Sequence, residues 1–154
     1  MESYGETMIK TFRGLIADGG QDTIVLHTND GSVGYRITKF QLMPKEPGQD
    51  HHEHTVKIYK VNQSTVDNTV DFNDQTLLGV GYYQDAASQD NVTSTDIIFD
   101  KEIFNQDIYV TASDTVGAVP INYYIELEQI KLDLNENTVA TLKDIRNIKR
   151  TATG

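Results

Sequence analysis

Residues 49–60 read QDHHEHTVKIYK, three histidines and a glutamate in four consecutive positions. Side chains alternate between faces along an extended chain, so His52 and His54 share one face and His51 and Glu53 the other. Two imidazoles on one face can ligate zinc or nickel, but a stable site needs a third and usually a fourth donor. His27 is the only other histidine, and there is no cysteine to add a thiolate. The segment follows PKEPGQD, a Pro/Gly turn signal, and precedes TVKIYKV, a strand pattern. The expectation is a solvated loop opening into a strand. His51, His52 and His54 are weak metal candidates, and no metal or other cofactor is assigned. A cupin would bracket its His-x-His with glycines and add a distant second histidine, whereas here none follows His54.

Paired acids offer a second chemistry. Glu126 and Glu128 on one strand face would stand about 7 Å apart, a carboxylate spacing used in glycoside hydrolysis. Any solvent-facing strand with alternating polar residues gives the same spacing. A sugar cleft would add aromatic platforms, yet the chain has no tryptophan. Tyr82, Tyr83, Tyr123 and Tyr124 are the alternatives, and alternation sends half of them inward. The acid-rich turns VDFND and DAASQDN lack the spaced ligands and central glycine of a helix-flanked calcium loop. There is no nucleophile elbow, phosphate-cradling glycine loop or dinucleotide fingerprint. The residue types favour a protein without catalytic activity.

Short strands must position these groups. Turn-forming clusters at 18–22, 29–34, 44–50, 66–74, 84–91 and 113–120 interrupt apolar and β-branched runs. That spacing predicts an antiparallel sandwich or barrel rather than alternating β and α units. Strands are expected over 9–17, 23–28, 35–43, 55–61, 76–83, 95–99, 107–112 and 121–132. Eight of that length suit an all-β, two-sheet sandwich of jelly-roll type. In INYYIELEQIKL, Ile121, Tyr123, Ile125 and Leu127 form one face and Asn122, Tyr124, Glu126 and Glu128 the other. Beyond Gln129 the apolar parity passes to Ile130 and Leu132, which predicts a bulge or entry into a different buried environment.

A chain of 154 residues is the size of one domain, and such a domain hides roughly 70% of its extended-chain surface. We divide it into a sandwich at 1–132, with 1–11 as a possible N-terminal arm, and a helix with a basic tail at 133–154. Asp133 followed by Glu136 resembles a capping box. Val139, Leu142, Ile145 and Ile148 recur every three residues, a stripe that spirals around a helix. Several β-branched residues weaken that helix, so it needs a surface to dock on, its own sandwich or another.

Thirteen basic against 23 acidic residues give a net charge of −10, which opposes nucleic-acid and anionic-membrane binding. Residues 143–150, KDIRNIKR, carry a local +3 and leave −13 on the remainder. A basic tail on an acidic body points to a protein surface as its target, although cations also complement a helix C-terminus. MESYGETMIK has neither the basic start nor the apolar run of a secretory signal, and no stretch approaches the roughly 18 apolar residues that cross a bilayer.

FRGLIADGGQDTIVLHTNDGSVGYRITKFQL, IIFDKEIFNQDIYVTASD, NYYIELEQIKL and ATLKDIRN together resemble a group of small, mostly uncharacterised proteins of marine tailed bacteriophages and similar environmental phage genomes. The resemblance runs from about Phe12 to Asn147 and is strongest in FNQDIYV, NYYIELE and ATLKDIRN. None of these is a catalytic motif. The resemblance implies a non-enzymatic structural protein of the virion, made in the bacterial host cytoplasm. It would decorate or cement the capsid or serve as a minor capsid protein, bound to the major capsid or another virion protein and oligomeric itself. The alternative is a tail- or neck-associated β-module that binds a host receptor or glycan. The expected partner contacts are Val139, Leu142, Ile145, Arg146, Ile148, Lys149 and Arg150.

Overall fold

The computed structural model describes residues 8–27, 31–48, 51–85, 92–99 and 101–132. The expected C-terminal helix, with Val139, Leu142, Ile145, Arg146, Ile148, Lys149 and Arg150, lies outside the described residues. So do residues 1–7 of the expected arm, whose last residues belong to the first strand.

Eight strands run in chain order: β1 (Ile9–Ile16), β2 (Gln21–Ile24), β3 (Val33–Pro44), β4 (His52–Tyr59), β5 (Leu77–Asp85), β6 (Val92–Ile98), β7 (Ile108–Asp114) and β8 (Ile121–Lys131). The described residues contain no helix. The strands form two antiparallel sheets, one of three in the order β1-β8-β3 and one of five in the order β2-β7-β4-β5-β6. The core lies between them, contributed by Ile37, Phe40, Ile121, Ile125 and Leu127 from one sheet and Val56, Ile58, Leu78, Ile108 and Val110 from the other. This is the expected all-β, two-sheet arrangement.

Strand β8 holds the centre of the smaller sheet because its alternation is the most regular. Ile121, Ile125 and Leu127 have no solvent exposure, while Asn122, Tyr124, Glu126 and Glu128 are half-buried on the opposite face. Beyond Gln129, β8 keeps an unbroken register with β3 from Arg36–Glu128 to Val33–Lys131, so no bulge falls where the parity of Ile130 and Leu132 suggested one; the bulge of this sheet sits instead on β3. Ile37 pairs with Leu127 and Lys39 with Glu126, so Thr38 is the extra residue of β3. That insertion turns the inward parity of β3 from Tyr35 and Ile37 to Phe40 and Leu42, as one extra residue in a period-two strand must.

Gly81 of β5 lets the sheets close. A Cβ there would stand 2.9 Å from Leu42 Cδ1 and 3.0 Å from Phe40 Cε2. On the far side of the larger sheet, residues 60–76 cross over β4 and cover its outward side chains. Thr55, Lys57 and Tyr59 are buried there, although a two-layer sandwich would leave that face wet. Lys57 Nζ donates to Asp67 Oδ1 at 3.2 Å and to the Thr69 carbonyl at 2.6 Å. Tyr59, Leu77 and Val80, with Phe99 against them, form a second small core beneath the crossing. Its other end is tied down by Gln21, whose side chain exchanges hydrogen bonds with the Gln63 backbone at 2.8 and 2.9 Å.

Candidate functional site

The histidine segment is not the loop that its polarity predicts. Strand β4 begins at His52, and both His52 and His54 are buried, facing the same interior as Val56 and Ile58. Their rings meet edge to face at 5.3 Å between centroids, and His52 stacks on Tyr83 at 6.1 Å. The correction has a simple cause: His52, His54, Val56 and Ile58 share one parity, and that periodicity outweighs the polarity of imidazole. His51 is exposed, and Glu53 points outward to accept a 3.0 Å hydrogen bond from the Tyr82 hydroxyl. His27 Nδ1 lies 2.7 Å from Asp107 Oδ1. Among the described residues no three His, Cys, Asp or Glu side chains are placed to hold a metal ion. His52 also lines a small cavity of about 140 Å³ with Lys45, Glu46, Val119 and Pro120.

Beside the pair stands Asp114, a group that residue spacing did not single out. Its Oδ1 accepts from the backbone N–H groups of Glu53, Val116 and Gly117 at 3.0, 3.0 and 3.1 Å. Its Oδ2 accepts from Val119 at 3.0 Å and lies 3.9 Å from His54 Nε2. Burial alone would raise this carboxyl, but the four N–H donors outweigh it and hold Asp114 below the usual carboxylate range. Burial likewise lowers His54, against the opposing pull of Asp114, so the imidazole is favoured neutral. The turn that Asp114 organises is under strain, since Ala118 adopts a φ of +52°. It is also tight, because a Cβ on Gly117 would collide with the His51 carbonyl. This assembly joins β4 to the β7–β8 turn and is structural in character.

The outward face of the three-stranded sheet is different in kind. Strand register stacks four rows across β1, β8 and β3: Leu15–Asn122–Met43, Arg13–Tyr124–Gln41, Thr11–Glu126–Lys39 and Ile9–Glu128–Arg36. The two candidate carboxylates fall in the lower rows, and each is engaged. Glu128 Oε2 accepts from Arg36 Nη2 at 2.8 Å and Nε at 3.0 Å, and Glu126 Oε2 accepts from the Tyr124 hydroxyl at 2.6 Å. That bond to Glu126 raises the Tyr124 hydroxyl above its ordinary value. A glycosidase pair needs one carboxyl free to give a proton and another free to attack or to activate water. Here one is clamped by a cation and the other fixes an aromatic ring.

The upper rows are open and carry two exposed apolar residues among polar ones. Leu15 is 47% and Met43 59% exposed. With Arg13, Gln41, Asn122 and Tyr124 they line a groove of about 640 Å³. Ile9 is also 47% exposed at the opposite corner. Strand β1 is an edge of the sheet. Sequence reasoning placed Asn122, Tyr124, Glu126 and Glu128 on this face but missed its apolar end, because Leu15 and Met43 come from the flanking strands and neither is unusual. The signal was an apolar residue at each end of the polar side of β1, legible only once that side was known to face outward.

The chain matches no protein-family model, and a search of curated proteins finds no match.

Proposed function

We propose that this chain is a non-enzymatic structural protein of a tailed-phage particle, seated against neighbouring subunits as capsid decoration, cement or a minor capsid component. The observation that carries the reading is the outer face of the three-stranded sheet, which pairs an exposed apolar end at Leu15 and Met43 with a strand edge, β1, that has no second ladder among the described residues. Apolar area supplies affinity, and edge N–H and C=O groups supply register. In this reading Val139, Leu142, Ile145 and Ile148 bury further area on the major capsid or another virion protein. Arg146, Lys149 and Arg150 pair with its acids.

The strand order supports a jelly-roll origin. A jelly roll is a wrapped hairpin whose strands pair first with last, second with seventh, third with sixth and fourth with fifth. Three of those pairs, β1 with β8, β2 with β7 and β4 with β5, are hydrogen-bonded here. The fourth differs, because β6 pairs with β5 and meets β3 without a ladder. The test is mass spectrometry of gradient-purified particles of the encoding phage, followed by a density map. Recovery at fixed stoichiometry on a lattice site supports the assignment, and absence from washed particles sinks it.

The groove favours a second reading, a receptor- or glycan-binding module. Its volume of about 640 Å³ and its mix of Tyr124, Arg13, Gln41 and Asn122 suit a small polar ligand with one apolar face. Glycan-array binding that disappears in Tyr124→Ala would replace the first reading with this one.

A further inference from the structure

We propose that a second copy of this chain pairs with β1, joining two three-stranded sheets edge to edge about a two-fold axis through Phe12. The inference rests on the geometry of the edge and needs no assumption about a virion.

The hydrogen-bonding phase of β1 is fixed by one contact. Gln129 N–H donates to the Met8 carbonyl at 2.8 Å, so the even-numbered residues of β1 exchange bonds with β8. Ile9, Thr11, Arg13 and Leu15 therefore direct their N–H and C=O groups to the outer edge. Strand β1 runs eight residues, with no proline and no register shift against β8. Natural edges of this length are usually shortened, bulged or interrupted to prevent pairing. Strand β1 has none of those three devices; of its two charges, which can also blunt an edge, Lys10 is engaged by the Tyr35 hydroxyl and Arg13 stands on the outer face.

A two-fold axis at Phe12 makes this edge self-complementary. It sets Ile9 opposite Leu15 of the second copy, Thr11 opposite Arg13, Lys10 opposite Gly14 and Phe12 opposite itself. The four odd-numbered pairs would exchange about eight backbone hydrogen bonds. Ile9 and Leu15, each 47% exposed in the single chain, would meet twice on the outer face, an apolar cross-strand contact at both ends. No like charges stand directly opposite. Thr11 lies in the same row as Glu126, so Arg13 of one copy would reach toward Glu126 of the other. Moving the axis to Arg13 sets two guanidinium groups against each other, and moving it to Thr11 separates Leu15 from Ile9. Charge and apolar pairing therefore select the same register, and a closed two-fold contact leaves the sheet with no further β1 edge.

The test is sedimentation velocity of the full chain across a wide concentration range. A shift to twice the monomer mass is expected, and a monomer throughout overturns the proposal. Thr11→Pro removes an outward N–H that β8 does not use, so the fold should tolerate it. It should weaken the dimer by at least about tenfold, since it deletes a backbone bond in two symmetric pairs. Leu15→Lys, an exposed substitution without backbone change, should weaken it as well. A dimer unaffected by both variants refutes the edge. Register is read by cysteine, of which the chain has none. Phe12→Cys should form a disulfide-linked dimer on oxidation and Ile9→Cys should not, and equal crosslinking by both refutes the two-fold at Phe12.

Discussion

Replacing Asp114 with alanine should be among the most damaging single substitutions in this chain. The carboxylate accepts four backbone N–H groups and holds a turn containing the left-handed Ala118. A hydrogen bond to a charged acceptor contributes about 1.5–3 kcal/mol, so four would sum to about 6 kcal/mol or more if none could be replaced. Residues 115–118 are exposed, so water can serve two of those donors once the side chain is gone. The donor of Glu53 is half-buried and Ala118 retains its strain, which brings the expected loss to about 3–4 kcal/mol. For a chain of this size that is a fall of about 10 °C in Tm.

Asp114→Asn keeps one acceptor oxygen and should lose about half as much, because its amide nitrogen would face the Val119 N–H. The loss must also depend on pH. Asp114 is held below its ordinary value when folded, so its contribution is complete above the unfolded carboxyl pKa and disappears as pH falls through the folded one. Urea denaturation of wild type and Asp114→Ala at pH 7 and at successively lower pH reads both effects, with a large gap at neutral pH that narrows as pH falls below the ordinary carboxyl range. A loss below about 1 kcal/mol at pH 7 would mean that the turn holds its shape without the carboxylate.

Three further outcomes are expected. Burial lowers the folded pKa of His54, so the unfolded chain takes up that proton first. Stability is then complete above about pH 6.5 and declines as pH falls toward the folded value. Tm measured from pH 7.5 to 5.5 should slope less steeply in His54→Leu, and an unchanged slope assigns the proton uptake elsewhere. Lys57→Ala removes the ammonium that holds Asp67 and Thr69 and should cost about 2 kcal/mol, less than a fully buried pair because Asp67 returns to water. Limited proteolysis should then cut within residues 60–76 faster, and an unaltered cleavage pattern refutes the pinning role. Gly81→Val forces β5 against Leu42 and Phe40 and should cost about 1–3 kcal/mol by overpacking, readable as a lower urea midpoint at constant m.

The strands were legible because most follow period two between turn clusters, and β8 shows how completely: every residue from Ile121 to Leu127 faces the side its parity requires. His52 and His54 were misread although the same rule applies to them, since polarity and a preceding Pro/Gly cluster argued for a loop. An alanine series through His51–His54 therefore probes packing before it probes metal binding. The bulge at Thr38 had a visible trace in the change from Tyr35 and Ile37 to Phe40 and Leu42, but Ile130 and Leu132 on the neighbouring strand drew the inference away. Asp114 was hidden for another reason. SDTVGAVP reads as a turn, yet nothing local says that its acid will collect N–H donors from as far away as Glu53. The covering of β4 by residues 60–76 was equally invisible, because VDNTVDFND has the composition of an ordinary connection.

That covering gives the molecule a front and a back. Among the described residues one sheet is bare on its outer face, whereas the other wears a seventeen-residue strap fastened by Lys57 and Gln63. Any mounting through the bare sheet turns the strap toward the surrounding medium, with Val70 and Phe72 at 42% and 54% exposure on its crest. A short peptide grafted at 64–66 would then ride on the outside of whatever carries the module, and it would leave both fastenings untouched.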